Sequence, residues 1–161
     1  MSTYCLRENR RTGREDVVIE DARLIWRNFS GKESPFNRAG NRVVTVLIYD
    51  PEFADELSRL GWNVKRREPR DEGDDPFFTL ECTVSYKIRP PKIMTYSGRH
   101  KASLNEDTVS SLDYAEIVNC DLILNGSPWE VNGNHGVKAY VSELHATLEE
   151  SVFGDKYDDY E

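Results

Sequence analysis

The sequence predicts a mainly β protein of five to seven strands, folded as a barrel-like domain with one main helix. The clearest observation is the stretch "FFTLECTVSYKIR", where apolar and polar residues alternate without interruption over residues 78–89. Such alternation predicts a strand with one face in a core and the other in water. Secondly, "DPEFADELSRLG" combines helical spacing of apolar residues with residues typical of helix ends. Thirdly, a slip of phase within "VKAYVSELHATLEE" indicates a bulge, as barrel strands often contain.

The first half of the chain predicts a hairpin followed by this helix. Residues 17–28 and 42–49 are predicted strands, and the second is apolar on both faces, which favours a central position. The loop that joins them, "FSGKESPFNRAGN", is rich in Gly, Ser, Pro and Asn. The helix is predicted over residues 50–61, because Asp50 suits the N-cap and Gly61 the left-handed position that follows a helix.

The second half predicts further strands with one helical turn in "NEDTVSSLD". The alternating strand ends at Pro90, since proline cannot donate to a β-ladder. The other predicted strands cover 62–67, 92–96, 115–125 (Val118, Cys120, Leu122 and Leu124 inward) and 137–150, with a loop over 126–136. Trp62 and Trp129 flank predicted strands and are interpreted as core or barrel-end residues.

Length and composition suggest one globular domain of residues 17–150, preceded by a flexible basic arm (1–16) and followed by an acidic tail (151–161). No apolar run reaches the roughly 18 residues of a membrane span, and the N-terminus has no secretory h-region, so we expect a cytoplasmic protein without a membrane partner. Cys5, Cys82 and Cys120 are far apart and are expected to be free thiols. No constellation of catalytic or metal-binding residues was found, so we expect no cofactor, no metal and no enzyme activity.

The formal net charge of −8 is distributed in blocks rather than evenly. Residues 149–161 carry six acids against one lysine, and residues 68–75 carry five acids against one arginine. By contrast, residues 86–101 carry five cations and no acid, and residues 22–49 carry five cations and one acid. Because the local field decides whether a polyanion binds, the total charge does not exclude nucleic acid as a partner.

Basic residues interleaved with aromatic ones predict a surface for single-stranded nucleic acid, whose bases stack on rings while cations follow the backbone. Trp26 shares the parity of Leu24 and is interpreted as slightly more typical of a core residue, and Tyr86 is excluded for its core parity. The predicted DNA-binding residues are Arg23, Arg27, Phe29, Lys32, Phe36, Arg38 and Arg42 in the first segment, Lys87, Arg89, Lys92, Tyr96, Arg99 and Lys101 in the second, and Lys138 and Tyr140 in the third.

The order of several segments resembles that of phage-encoded single-stranded DNA-binding proteins with an OB-fold. These segments are the "WRNFSG…FN" loop, the "GWNVK…PRDE" turn, "RPPKI" and "WEVNG…GVKAY", which together span residues 18–150. The resemblance implies a five-stranded barrel that coats single-stranded DNA in replication or recombination without catalysis, in the cytoplasm of an infected or lysogenic host. The helix here follows the second apparent strand, whereas a typical OB-fold places it between the third and fourth.

The resemblance also implies that the acidic tail recruits replication or recombination proteins. The predicted partner-binding residues are Asp155, Tyr157, Asp158, Asp159, Tyr160 and Glu161. The same tail could lie over the DNA site as a mimic of the polyanion, or be a solubilising terminus.

Two other functions stay open at the level of sequence. The net charge and the acidic turn would also suit a phage-encoded interaction module, an inhibitor or adaptor of a host protein. Asp71, Glu72, Asp74 and Asp75 could serve a metal-dependent nuclease, although adjacent acids in a Gly-containing turn are usually only solvated. Self-association into a homo-oligomer is also left open.

Overall fold

The computed structural model describes residues 1–87 and 89–150. Within this part of the chain it contains ten strands, one α-helix and one 3-10 helix. In chain order they are β1 (Thr3–Glu8), β2 (Glu15–Glu20), β3 (Arg23–Asn28), β4 (Arg42–Ile48), α1 (Pro51–Arg59), β5 (Val64–Arg67), β6 (Phe77–Val84), β7 (Lys92–Ser97), β8 (His100–Leu104), the 3-10 helix Val109–Asp113, β9 (Ile117–Val131) and β10 (Asn134–Leu148). The mainly β fold class is therefore confirmed.

Six of these strands form a ring. Their order is β2-β9-β10-β6-β4-β3, and only Asp21 and Ala22 separate the two ends, β2 and β3. The amide of Ala22 also donates to the carbonyl of Cys120 in β9. The pairs in this ring are antiparallel except β6 with β10, which is parallel.

This order is that of an OB-fold, a partly open five-stranded barrel, with β2 and β3 acting as one broken first strand. The remaining barrel strands are then β4, β6, β9 and β10. As the sequence indicated, α1 follows the second barrel strand. The usual helix position, between the third and fourth barrel strands, is occupied by the β7–β8 hairpin and the 3-10 helix.

The helix and the core form as the sequence predicts. Asp50 caps α1 by accepting hydrogen bonds from the amides of Glu52 and Phe53, and Gly61 follows with a φ of 98°. Phe53 and Leu57 on one face of α1 are buried. Trp62 is also buried, as expected. The helix therefore closes one side of the barrel with its apolar face.

The prediction of a loop over residues 126–136 is wrong. β9 and β10 continue through it as one long hairpin, whose turn residues Asn132 and Gly133 have φ values of 51° and 81°. An Asn-Gly pair with both φ values positive is typical of the type I′ turn that joins two strands. The expected bulge in β10 is confirmed between Val141 and Glu143.

Two side chains of this hairpin also lie elsewhere than expected. Trp129 is 45% exposed, and its ring packs over the cross-strand residue Gly136, where an added Cβ would come within 2.9 Å of it. Val118, predicted to face inward, is exposed and borders a depression at the start of β9. In contrast, Cys120, Leu122 and Leu124 are buried as predicted.

The expectation of a flexible N-terminal arm is also wrong. Residues 3–8 form β1, which pairs with β2 in six consecutive positions from Thr3–Glu20 to Glu8–Glu15. Tyr4 of β1 stacks on Phe53 of the helix, with ring centroids 5.4 Å apart. The basic segment is thus part of a folded hairpin.

Trp26, which parity placed in the core, and Phe29, which its loop position made a stacking candidate, lie on the opposite sides from those predicted. The pairing of β3 with β4 shifts between Ile25 and Asn28, and Trp26 there has a φ of 49°. Such a bulge reverses which side chains face the core. As a result Trp26 is 59% exposed and Phe29 is fully buried.

The three cysteines are free, with Cys5 exposed and the other two buried. Burial raises the pKa of Cys120 to about 12. No helix among the described residues is long and apolar enough to cross a membrane.

Candidate nucleic-acid interface

An open groove of about 800 Å³ runs along the barrel between the β3–β4 loop and β10. Four cationic side chains line it, namely Arg38, Arg42, Lys87 and Lys138, and Glu106 is the one acid among its described lining residues. We call this the barrel groove. It lies beside the loop between the first two barrel strands, which in OB-folds helps to bind oligonucleotides. The fold thus brings three basic segments of the sequence together.

A break in the third barrel strand places Lys87 in the groove. β6 pairs with β10 up to Thr83–Tyr140, and β7 resumes this parallel pairing at Lys92–Glu143. Eight residues separate Thr83 from Lys92, whereas only two separate their partners on β10, Tyr140 and Glu143. The longer segment therefore leaves the sheet, which explains why the predicted strand ends at Val84 rather than at residue 89.

Two tyrosines supply aromatic surface in the barrel groove. Tyr140 is half-buried and its ring lies 5.2 Å from the Nζ of Lys138. Tyr86 is also half-buried, and the guanidinium of Arg42 lies 5.6 Å from its ring centroid. Burial raises the pKa of Tyr86, and its hydroxyl is buried without a hydrogen-bond partner among the described residues.

Arg42 stabilises the groove wall in addition to providing charge. Its guanidinium donates to the carbonyl of Phe29 at 3.1 Å and pairs with Glu106 at 3.6 Å. Only 18% of its side chain is exposed. Arg38, Lys87 and Lys138 are exposed instead, so their charges are the ones most available to a ligand.

The β3–β4 loop presents Phe36 from a turn that Asn37 holds by hydrogen bonds. The side-chain amide of Asn37 donates to the carbonyls of Lys32, Arg38 and Asn41. Phe36 itself is 99% exposed, as expected for a candidate stacking residue. Lys32 hydrogen-bonds to the hydroxyl of Tyr114, and this bond raises the pKa of Lys32.

The interpretation of Phe29 as a stacking residue is wrong. Asp113 accepts hydrogen bonds from the amides of Phe29 and Ser30 at 2.6 and 3.2 Å, which holds the start of the loop against the 3-10 helix. With its backbone fixed there, the ring of Phe29 points into the core and is fully buried. A fully buried ring offers no face to a base.

Arg27 and Arg23 also lie outside the barrel groove. Arg27 donates through one guanidinium nitrogen to the carbonyls of Leu112 and Ala115, at 2.9 and 2.8 Å. Arg23 pairs with Asp21 at 3.4 Å. Both arginines line a small depression at the start of β9. Arg27 is therefore committed to the fold, and neither residue joins the other cations.

The β7–β8 hairpin carries the remaining residues of the basic run. Lys92, Arg99 and Lys101 are exposed on it. The hydroxyl of Tyr96 lies 2.8 Å from Nδ1 of His145, and the two rings stack with centroids 5.8 Å apart. The structure does not bring these four residues to the barrel groove.

A second cleft, of about 680 Å³, adjoins the barrel groove. The two share Ser85, Lys87 and Tyr140 as lining residues, and Arg89 lines the cleft. We call it the hairpin cleft, because the turn of the β1–β2 hairpin forms its far wall with Arg11 and Arg14. The groove and the cleft form one continuous depression.

The acidic segments of the sequence lie apart from this depression or outside the described residues. Asp71, Glu72, Asp74 and Asp75 are exposed between β5 and β6. Within residues 1–87 and 89–150, no three acidic, His or Cys side chains come close enough together to hold a metal ion. The six predicted partner-binding residues of the tail lie outside the described residues.

The model of the phage ssDNA-binding domain family matches residues 7–161 of the chain. The chain belongs to this family. The resemblance inferred from the sequence is confirmed. No curated protein shows significant sequence similarity to the chain.

The fold of this family member is similar to that of the single-stranded DNA-binding protein from bacteriophage Enc34. The structure of that protein in complex with ssDNA has a TM-score of 0.54 and 11% identity, covering 86% of this chain and 89% of that chain. A second structure of it has a TM-score of 0.53 and 11% identity, covering 91% and 90%. At this identity the likeness concerns the fold.

Sequence reasoning missed several residues of the depression in this phage ssDNA-binding-domain protein. Tyr86 was excluded by its parity, yet the chain leaves the sheet just after Val84, where strand parity no longer applies. Arg11 and Arg14 belong to "RENRRTGR", residues 7–14 of the segment predicted to be a flexible basic arm. Nothing in the local sequence indicates that this segment folds against the barrel.

Proposed function

We propose that the protein binds single-stranded DNA largely independently of sequence, without catalysis, in phage DNA replication or recombination. The observation that carries this proposal is the convergence of Arg38, Lys87 and Lys138 around Tyr140 in the barrel groove. Membership of the phage ssDNA-binding domain family supports it.

The chemistry of the groove suits a single strand. Exposed lysine and arginine side chains neutralise phosphates and release their counterions, which provides affinity without reading bases. An aromatic ring can stack on any base, because every base has a π-face. Tyr140, and Phe36 at the loop tip, are the proposed stacking residues. Duplex DNA keeps its bases stacked inside and cannot use these rings in the same way.

The acidic tail adds a second part to the proposal. Its acids and its two tyrosines resemble a short polyanion with rings, so it can compete weakly for the same cations while DNA is absent. DNA would displace it, and the freed tail would recruit replication or recombination proteins. The alternative, an interaction module for a host protein, requires no affinity for nucleic acid.

Fluorescence anisotropy with labelled oligo(dT), duplex DNA and poly(U) tests the proposal. We expect the double variant Lys87→Ala/Lys138→Ala to bind oligo(dT) roughly tenfold more weakly, and its log–log salt slope to fall by about 1.4, since each phosphate contact to a single strand contributes about 0.7.

The matched control is Arg99→Ala/Lys101→Ala, which removes the same charge from the β7–β8 hairpin. We expect this control to stay within about threefold of the wild type, because neither side chain lines the barrel groove or the hairpin cleft and salt screens exposed charges outside the site. Equal losses in both variants would show that only total charge matters. If the wild type binds no DNA even at about 50 mM salt, the proposal fails and the interaction module remains.

A further inference from the structure

The turn of the β1–β2 hairpin is a hydrogen-bonded basic feature that the barrel-groove site does not include. Asn9 organises it: its amide donates to the carbonyl of Arg14, its carbonyl accepts from Gly13, and its side-chain oxygen accepts from Arg11 and Thr12. Thr12 further accepts from the amide of Arg14 at 3.2 Å. These bonds fix the backbone that carries two arginines at the tip.

Asp16 ties this turn to the barrel. Its carboxylate accepts from the side-chain amide of Asn9 at 3.0 Å. When the side-chain nitrogen of Asn125 faces Asp16, it donates to the same carboxylate at 3.0 Å, and this orientation satisfies both polar atoms of the Asn125 amide. β2 and β9 also pair at Val17–Leu124. The turn is therefore held in place relative to the fourth barrel strand.

The resulting position sets two pairs of cations around the hairpin cleft. Arg11 and Arg14 come from the turn, and Lys87 and Arg89 come from the break between β6 and β7. Asp16 is the one acid among the cleft's described lining residues, and it is already hydrogen-bonded to Asn9 and Asn125. Within the described part of the chain, neither Arg11 nor Arg14 forms an ion pair.

The cleft is also a continuation of the barrel groove rather than an isolated basin. Tyr140 and Lys87 line both, so a strand that passes Tyr140 enters the cleft directly. Beyond the turn, an outer depression of about 670 Å³ shares Arg11 and Asp16 with the cleft, and its other charged lining residues are Arg7, Arg10, Glu8 and Glu143. The basic lining thus continues from the barrel groove through the hairpin cleft and ends at the turn, since the outer depression balances its arginines with acids.

We propose that the β1–β2 hairpin is a second wall of the DNA site, in which Arg11 and Arg14 contact backbone phosphates of the strand that has passed Tyr140. This inference rests on the proposed function. It extends the site beyond the strands and loops of the barrel, and it gives the N-terminal hairpin a binding role. The ligand of the cleft is the same polyanion, held without base recognition.

The test measures how affinity depends on oligonucleotide length. We expect oligo(dT) affinity for the wild type to rise with length across a series from about 4 to 30 nucleotides, which brackets the ~4–16 nucleotides covered by one OB-fold. For the double variant Arg11→Ala/Arg14→Ala, affinity should stop rising at a shorter oligonucleotide length. On the longest oligonucleotide we expect a roughly tenfold loss and a salt slope lower by about 1.4. On the shortest oligonucleotide, the affinity of the double variant should match that of the wild type.

Two controls make the result decisive. Arg11→Lys/Arg14→Lys keeps both charges and should recover most of the affinity and the slope. Because neither arginine packs in the core, the Ala variant should melt at the wild-type temperature. Unchanged affinity at every length, with Lys87→Ala/Lys138→Ala still weakened, would overturn the hairpin role alone. A wild type that binds no oligonucleotide would overturn the proposed function itself.

Discussion

At the scale of single residues, Tyr140 is central to the candidate interface. It follows Lys138 on β10 with Ala139 between them, and Ala139 faces the core. The alternation of a strand therefore puts the ring and the ammonium on the outer face together. This pair could be recognised from the sequence, because it depends only on parity within one strand.

Replacing Tyr140 by Ala tests the stacking role. We expect affinity for oligo(dT) to fall by about 1–3 kcal/mol, which is ~5- to 150-fold, because one base loses its stacking partner. Tyr140→Phe should stay near the wild type, since the ring is kept. Anisotropy titration at constant salt measures both.

Tyr49→Ala serves as the control, since Tyr49 is an exposed tyrosine that borders a separate, acidic cleft. If Tyr140→Phe lost as much affinity as Tyr140→Ala, the hydroxyl rather than the ring would make the contact.

The sequence-based assignments fail at Trp26, which parity placed in the core, and at Phe29, which its place in the predicted loop made a stacking candidate. A bulge in β3 and the hydrogen bonds from Asp113 reverse the expected sides. Asp113 is 84 residues away from Phe29 in sequence. Local sequence does not encode such a contact, so the stacking assignment of Phe29 could not be corrected before the structure was known.

At the scale of elements, the β9–β10 hairpin depends on a close approach at Gly126. A Cβ added there would come within 2.7 Å of a methyl carbon of Val137 and 2.8 Å of the ring of Trp62. Trp62 is only 6% exposed and follows the helix. The glycine thus lets the hairpin pack against the end of α1, and one wall of the hairpin cleft depends on it.

We expect Gly126→Ala to lower the free energy of unfolding by roughly 1–3 kcal/mol, the usual cost of overpacking a well-packed site. Alanine also lowers the conformational entropy of the unfolded chain, which stabilises the fold by about 0.4–1 kcal/mol. This smaller gain should not offset the cost of overpacking. Urea denaturation measures the difference.

Ser127→Ala, exposed on the same strand, is the control and should change stability by less than about 0.5 kcal/mol. If Gly126→Ala had the same free energy of unfolding as the wild type, Trp62 and the hairpin could move apart without cost.

The elements themselves differ in how far the sequence predicts them. The helix was predicted to within one or two residues, because its cap and its apolar face are local. The β9–β10 hairpin was missed over residues 126–136, because Pro128 and several Gly and Asn residues favour loops. Two paired strands can accommodate them once cross-strand hydrogen bonds form.

At the scale of the whole molecule, the cations of the depression and three acids of the turn between β5 and β6 line different clefts. The depression collects cations from the β1–β2 turn, the β3–β4 loop, the break after β6 and β10. Asp71, Asp74 and Asp75 border a different cleft, beside Tyr49 and Phe77. An acidic protein can therefore present a basic path to DNA, while its net charge of −8 limits nonspecific association.

Deletion of residues 151–161 tests the proposed competition between the acidic tail and DNA. We expect the deletion to tighten oligo(dT) binding at about 50 mM salt, and the gain to vanish as salt screens the interaction. A chain with a scrambled tail of the same composition separates sequence from charge: if the tail mimics DNA, the scrambled tail should inhibit less. Equal inhibition by both tails would reduce its role to net charge.

The sequence by itself determined the fold class, the helix, the basic segments and the candidate residues Phe36, Arg38, Lys87, Lys138 and Tyr140. These follow from periodicity and local charge, which are properties of neighbouring residues. Only the tertiary structure decided which segments meet. It buried Phe29, committed Arg27 to backbone carbonyls, left the β7–β8 hairpin outside the barrel groove and placed Arg11 and Arg14 at the hairpin cleft. The physical reason is that such placements depend on strand register and on contacts between residues far apart in the chain.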